Sequence, residues 1–336
     1  MKIKLLISIL SVVLFIGCKH EEKNDCKSKG AILETFITPD GKEVYIFEDG
    51  SLFVNNNGSC EFVVQYFDPN FLVNNYKIDA TGKFLLTDEG LFPVKNDFID
   101  NVESYFAFTD LFIKSIADTQ LYWSSFTLQS PAAPSVSDYV ALRKCILAGT
   151  CTFIDNKIEL ASDPVSVTNK VLKFTSVAPT SSMVTAKACM ESQIVFFDKD
   201  SDLWFQADYY IQSGMPFSIV DFENSYFEGS PGPRVDIKNS ALSVENKFGA
   251  KKEYVQSSPV NIPTNKWFTV KVHLKFSNNA TGIIEVWQDG TQVISAAGIN
   301  LPSSNSVQDR IQIGVTATSV GCVLLMDNIK ISASPF

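Results

Sequence analysis

Histidine is scarce in this chain, with only His20 and His273 among 336 residues. That scarcity argues against a histidine-built metal centre. The absence of any C-x-x-C pair argues equally against a structural zinc site. Charge is sparse too, at 19% of residues against 45% hydrophobic and 12% aromatic. A solvated, disordered coil has the opposite balance. Basic residues are the minority sign, 28 Lys and Arg against 37 Asp and Glu, for a formal net charge of −9. A nucleic-acid binder would carry a basic footprint, so no nucleic-acid partner is expected. The G-x-S-x-G and zinc-protease motifs are missing. Long apolar runs are missing as well, apart from Leu5 to Ile16, which falls short of the roughly 20 residues that span a bilayer. What is present is enough length for two ordinary domains, each with its own core, and an odd count of 7 cysteines.

The first eighteen residues account for the odd cysteine. Lys2 and Lys4 precede the apolar run as a positive n-region, which fits a secretory signal. The run ends in Leu14-Phe15-Ile16-Gly17-Cys18, which resembles a bacterial lipobox with Phe15 in the place usual for leucine. That resemblance implies a signal peptide over 1–17 and lipidation of Cys18, with several acyl chains giving a stable anchor. Removing residues 1–17 takes away two lysines and no acids. The remainder has 26 cationic side chains against 37 acids, a net −11. Residues 18–30 read as a lipidated tether. Its Lys19-His20-Glu21-Glu22 start resembles the surface-export signal of Bacteroidetes lipoproteins, and a plain solvated tether is the other reading. The expected location is the bacterial outer membrane or cell surface, with the membrane as a partner through the lipid.

Six cysteines remain, an even number that suits disulfides in an exported chain. From the domain layout, the expected pairs are Cys26–Cys60, Cys145–Cys151 and Cys189–Cys322.

Two β-rich units follow. Over 31–117, short apolar strands alternate with the turn signals Pro39-Asp40-Gly41, Glu48-Asp49-Gly50 and Asn57-Gly58, which predict a small antiparallel domain. GKEVYIFEDGSLF is echoed by GKFLLTDEGLF, but two copies fall short of a solenoid or propeller. Residues 97–117 suit a helix or a buried strand equally. The second unit covers 118–336, with its core at 151–332. A short helix is expected after Pro134, capped by Ser135 or Ser137, carrying Tyr139, Leu142 and Ile146 and ended by Gly149. In WFTVKVHLKF, Phe268, Val270, Val272, Leu274 and Phe276 alternate with Trp267, Thr269, Lys271, His273 and Lys275, the mark of a half-buried strand. Ile284 and Val286 read as core against Glu285 and Trp287, and LWFQADYYIQ sends Trp204, Gln206, Asp208 and Tyr210 to one face. Many strands and few helices predict a two-sheet sandwich.

The run W-x-x-V-x-V-x-x-K-x-S (Trp267 to Ser277) is followed by G-x-I-E-V-W-x-D-G (Gly282 to Gly290), then Gly314 and Asp327-Asn328-Ile329. Together they resemble the concanavalin A-like lectin/glucanase sandwich, in the branch that holds polysaccharide lyases. The resemblance implies an all-β chain: a concanavalin A-like jelly-roll β-sandwich preceded by the small antiparallel β domain. It also implies a polysaccharide or glycan partner.

The catalytic motifs of that branch are not reproduced. Glu191-Ser192-Gln193 lacks an arginine pair, Ile219 to Glu223 lacks histidine, and Thr316 stands where the resemblance places a tyrosine. Asp221 and Glu223 share a strand face but do not complete a glycosidase carboxylate motif. Candidate sugar contacts are Trp204, Tyr210, Arg234, Trp267, Lys271, His273 and Trp287, each of which also suits ordinary packing or a solvated face. Catalytic candidates are His273, Tyr209, Tyr254, Arg234 and Lys247. No cofactor is expected. Asp327 stands where related sandwiches bind calcium, one carboxylate against the six to eight oxygens that ion takes. The leading expectation is therefore non-catalytic glycan binding by a surface lipoprotein. A divergent polysaccharide lyase acting on uronates is the alternative, and a structural or adhesive envelope protein the third.

Overall fold

The computed structural model describes residues 25–336 apart from 38–42, 48–50, 57, 66–76, 79–83, 88–89, 114–117, 119, 224–231, 249 and 303–305. Cys18, the signal segment, most of the tether and the turns at 39–41 and 48–50 lie outside the described residues. A four-stranded antiparallel meander comes first: β1 (Ile32–Ile37), β2 (Glu43–Phe47), β3 (Ser51–Asn56) and β4 (Ser59–Gln65). Tyr45 and Phe47 are buried there with Phe53 packed against them, and the Cys26–Cys60 disulfide ties the entering 3-10 turn to β4. A three-stranded meander follows, of β5 (Lys77–Ile78), β6 (Phe84–Thr87) and β7 (Gly90–Pro93).

The rest of the chain builds two antiparallel sheets. Its elements begin with β8 (Phe98–Asp100), β9 (Ser125–Thr127), α1 (Val136–Leu147), β10 (Lys157–Ser162) and β11 (Lys170–Ser176). Then come β12 (Ala186–Ser192), β13 (Asp202–Ser213), β14 (Ser218–Glu223), β15 (Pro233–Lys238), β16 (Ala241–Asn246) and β17 (Glu253–Val255). The last are β18 (Trp267–Lys275), β19 (Ile283–Gln288), β20 (Thr291–Ala297), β21 (Arg310–Thr318) and β22 (Cys322–Ser332). One sheet runs β10-β11-β22-β13-β18-β19-β20, with β8 also on β22; the other runs β17-β16-β15-β14-β21-β12-β9. Their inner faces bury one continuous core, including Phe174, Phe205, Phe222, Phe268, Val272, Ile313 and Met326. This is a β-sandwich, as the alternating strands predict.

Local sequence explains several details. Asp289 (φ 49°) and Gly290 (φ 78°) make the two left-handed turn residues that join β19 to β20. Ser135 caps α1 by accepting from the Asp138 amide, the Asp138 carboxylate returns the bond, and Gly149 (φ 68°) ends the helix. The ambiguous segment after Asp97 becomes β8 and a 3-10 turn. Phe98, Val102, Tyr105, Leu111 and Phe112 enter the sandwich core, so the chain joins that core about twenty residues before position 118. The Asp100 carboxylate, buried beside these rings, is pushed up by desolvation against the donors Trp123 Nε1 (2.6 Å) and Val102 N (2.9 Å).

Cys145–Cys151 forms as expected, but Cys189–Cys322 does not, and both of those cysteines are free and buried. The reason is alternation. On β12 Ala188 and Met190 point into the core, which turns Cys189 to the outer face, whereas Cys322 lies in the core.

Candidate functional site

The same alternation loads the outer face of the seven-stranded sheet with polar groups. Ile311 and Ile313 of β21, Val220 and Phe222 of β14, Val235 and Ile237 of β15, and Leu242 and Val244 of β16 all face the core. Arg310, Gln312, Asp221, Glu223, Arg234, Asp236, Ser243 and Glu245 therefore face outward. Register then aligns them. One rung across the whole sheet reads Ser125, Glu191, Gln312, Asp221, Arg234, Glu245, Glu253, each paired with the next. At roughly 4.8 Å per strand it is some 29 Å long, the scale of several sugar rings.

Arg234, Lys247 and Arg310 on this face are paired with carboxylates of the chain itself. Lys247, just beyond β16, reaches Asp221 at 3.0 Å and also contacts Glu223. Arg234 donates from Nε to Glu245 at 2.8 Å, makes a second contact with it through Nη2, and lies 3.1 Å from Asp236. Arg310 is 3.8 Å from Glu191, and with the Gln193 carboxamide turned so that its oxygen faces the guanidinium, Arg310 Nη2 and Nε donate to it at 2.7 and 2.8 Å. Glu191 also accepts from Thr127 Oγ1 at 2.8 Å, and Ser218 Oγ donates to Asp221 at 2.9 Å. Beyond β9, Arg143 of α1 donates to Ser125 and to the Phe126 carbonyl (2.9 Å), so the disulfide-closed helix is tied to that end of the sheet.

These contacts set the ionisation. Burial opposes the charge on Asp221, but the Lys247 and Lys187 ammonium groups overcome it and hold the carboxyl well below the usual range. Lys247 is raised for the reciprocal reason: its desolvation is outweighed by Asp221 and Glu223. Asp236 goes the other way. Desolvation, only partly offset by Arg234 and reinforced by Asp221 and Glu245, pushes it up to about 7.

The opposite face of the molecule, the outer side of the eight-stranded sheet, holds most of the aromatic candidates. Trp204 stacks on His273, centroids 3.9 Å apart and 6° from parallel. Trp287 lies 6.0 Å from Trp204, and Lys271 Nζ sits 5.0 Å from both indole centroids. His273 Nδ1 is 2.8 Å from Glu285 and Nε2 is 2.7 Å from Asp202, so both ring nitrogens are occupied. Tyr210 and Trp267 form a separate cluster with Val171 and Leu325, and Trp267 Nε1 donates to Asp163 at 3.1 Å. Tyr209 is in the core, stacked on Phe268, and Tyr254 is buried on the short edge strand β17.

The catalytic set His273, Tyr209, Tyr254, Arg234 and Lys247 does not converge. Arg234 and Lys247 share the seven-stranded face, His273 lies on the other sheet's outer face, and Tyr209 is enclosed between the sheets. Thr316, in the place expected for a tyrosine, is buried and donates to Ser218 Oγ at 2.8 Å. Asp327 accepts from Asn169 Nδ2 (2.9 Å) and the Asn328 amide (2.7 Å). Among the described residues no group of three or more His, Cys, Asp or Glu is placed to hold a metal.

With this geometry established, comparison with known proteins identifies the family. A model described as polysaccharide lyase matches residues 147–330, more than half of the chain. The chain belongs to the polysaccharide lyase family. The matched span contains the whole polar rung except Ser125, and the Trp204, His273 and Trp287 cluster on the other sheet. Among solved structures, an endo-β-1,4-glucuronan lyase from the fungus Trichoderma reesei is 13% identical (TM-score 0.44), covering 54% of this chain and 88% of that one. The cellulose-induced protein Cip1 is 12% identical (TM-score 0.46), covering 70% and 97%. An alginate lyase from a Chlorella virus is 11% identical (TM-score 0.39), covering 53% and 89%. No curated protein matches the chain.

Sequence reading by motif passed over Gln312, Asp236 and Glu245 as functional residues. Their signal was the period-two pattern in RIQIGVT, PRVDIK and ALSVEN, which carries polar groups on a face that has to be covered by something other than core.

Proposed function

We propose that this lyase-family protein cleaves a uronate-containing polysaccharide by β-elimination along the outer face of its seven-stranded sheet. The observation that carries this reading is the rung from Glu191 to Glu245, a row of hydrogen-bonding and charged side chains long enough for several sugar units. Elimination needs a group to take the proton beside the uronic carbonyl and another to protonate the departing oxygen. Asp236, pushed to about 7, can take and return a proton at neutral pH. The Lys247 ammonium keeps its charge and supplies a donor. The lipobox reading supplies the place of action: a lipid on Cys18 would hold the domain at the outer membrane or cell surface.

Incubation with free and esterified glucuronan, alginate and polygalacturonan tests the activity. The expected result is a rise in ultraviolet absorbance from unsaturated chain ends, reduced tenfold or more by Gln312→Ala with the fold retained. A second reading, glycan binding without turnover, is favoured by one observation. Arg234, Lys247 and Arg310 on this face are engaged by the chain's own carboxylates, and no histidine stands beside them among the described residues. Binding to the same polymers without new unsaturated ends would establish it in place of the lyase.

A further inference from the structure

We infer that Lys187 is the residue that receives the uronate carboxylate in the groove. The inference rests on the lyase reading above and supplies a contact which that reading leaves open. Five cations stand on this face, and four are held by carboxylates of the chain. Arg234 is held by Asp236 and Glu245, Lys247 by Asp221 and Glu223, Arg310 by Glu191, and Lys238 by Glu253. A substrate carboxylate reaching for one of these would have to displace an acid fixed on its strand. Lys187 is the fifth, and among the described residues no carboxylate lies within ion-pair distance of it.

Its position suits a ligand. Ala186 and Ala188 are buried, Ala188 in the core, so alternation turns Lys187 to the outer face with Cys189 and Glu191. It is also the only residue of β12 that is not buried. Its neighbour Asp221 is already hydrogen-bonded on both oxygens. Oδ1 accepts from Ser218 Oγ (2.9 Å) and Thr316 Oγ1 (3.2 Å), and Oδ2 accepts from Lys247 Nζ (3.0 Å). Lys187 acts on that carboxyl through space alone, which leaves its N–H donors for another anion.

Register places Lys187 in one row with Asp236, the group that can take a proton at neutral pH. The shift between Ala186 and Ala188 sets Lys187 against Thr316 and Ala317 of β21, Ala317 pairs with Ser218, and Ser218 pairs with Asp236. Three strand spacings separate the two backbones, roughly 14 Å. An extended lysine stem can bridge more than one of those spacings, which leaves room for a single sugar ring. Elimination from a free uronate needs the carboxylate's charge met by a cation before C5 becomes acidic. With Lys187 on the carboxylate, Asp236 takes the C5 proton and the electron pair of that bond becomes the C4=C5 double bond. The C4–O bond breaks, and the departing oxygen takes a proton from Lys247. Lys187 contributes charge alone.

The test compares the parent chain with Lys187→Met, which keeps the stem without the charge, and Lys187→Arg, which keeps the charge. Each is given glucuronan, alginate and polygalacturonan as the free polymer and as the methyl ester. The parent is expected to turn over at least one free polymer faster than its ester. Lys187→Met should lower kcat/KM on that polymer about tenfold or more and leave the ester within about twofold, and Lys187→Arg should recover most of the loss. A purely structural role would lower both forms together. That outcome, or an unchanged rate on the free polymer, would overturn the inference and leave the lyase reading standing. Faster turnover of the esters by the parent would overturn it too. If the parent turns over neither form, the lyase reading falls. Lys187→Met must then still weaken retardation by the free polymer in affinity electrophoresis, and unchanged retardation would overturn the inference as well.

Discussion

Asp236 gives the protein a pH signature that a single substitution can expose. In the unfolded chain an aspartate releases its proton near pH 4, whereas the folded protein holds this one to about 7. Across that window the unfolded state binds fewer protons, so this residue's contribution to stability falls as pH rises. Asp236→Asn removes the loss. The variant should gain on the parent between pH 4 and 7 and show no further change below pH 4, as read from thermal melts across that range. Asp221 acts with the opposite sign. Its depressed carboxyl contributes stability above pH 4 that disappears as acid protonates it. Gly314 makes a steric prediction at the same scale. It sits on β21 at φ 103°, and a Cβ there would meet the Phe174 ring at 2.5 Å. Gly314→Ala combines overpacking with a backbone conformation that L side chains avoid, and should cost about 3 kcal/mol in denaturant titrations.

At the level of elements, α1 depends on its cap, its disulfide and Arg143. The bridge from Cys145 to Cys151 closes a short loop at the helix end. Closing a loop of that size is worth ~2 kcal/mol in the chain-entropy account. Cys145→Ser with Cys151→Ser should lower stability by about that much and loosen the helix against β9, seen as faster amide exchange over 136–147. Most elements of the sandwich are legible in the sequence, because alternation in β13, β18 and β19 and the Ser135 and Gly149 signals are local. The site was less legible for a physical reason. Glu191, Gln312, Asp221, Arg234 and Glu245 come from five strands far apart in the chain, and only cross-strand register brings them into one row. The aromatic residues that drew attention, Trp204 and Trp287, were read correctly as one face of their strands. That face belongs to the other sheet.

The whole molecule carries two thiols that report on its integrity. Cys189 and Cys322 are free and buried, and burial raises both thiols, Cys322 to about 11. Neither should react with a thiol reagent in the native state, and both should react together once the sandwich opens, at a rate set by global unfolding. Labelling of either one under native conditions would show a local opening instead. The order of the strands bears on how the protein is made. β21 lies between β14 and β12, and β22 between β13 and β11, so one interior strand of each sheet is drawn from residues 310–332. While a ribosome is still translating position 309, each sheet consists of separated pieces with raw edges and nothing to join them. Residues 310–332 thus decide the fate of both sheets, and a stop codon at position 310 should be as damaging as one in the middle of the sandwich.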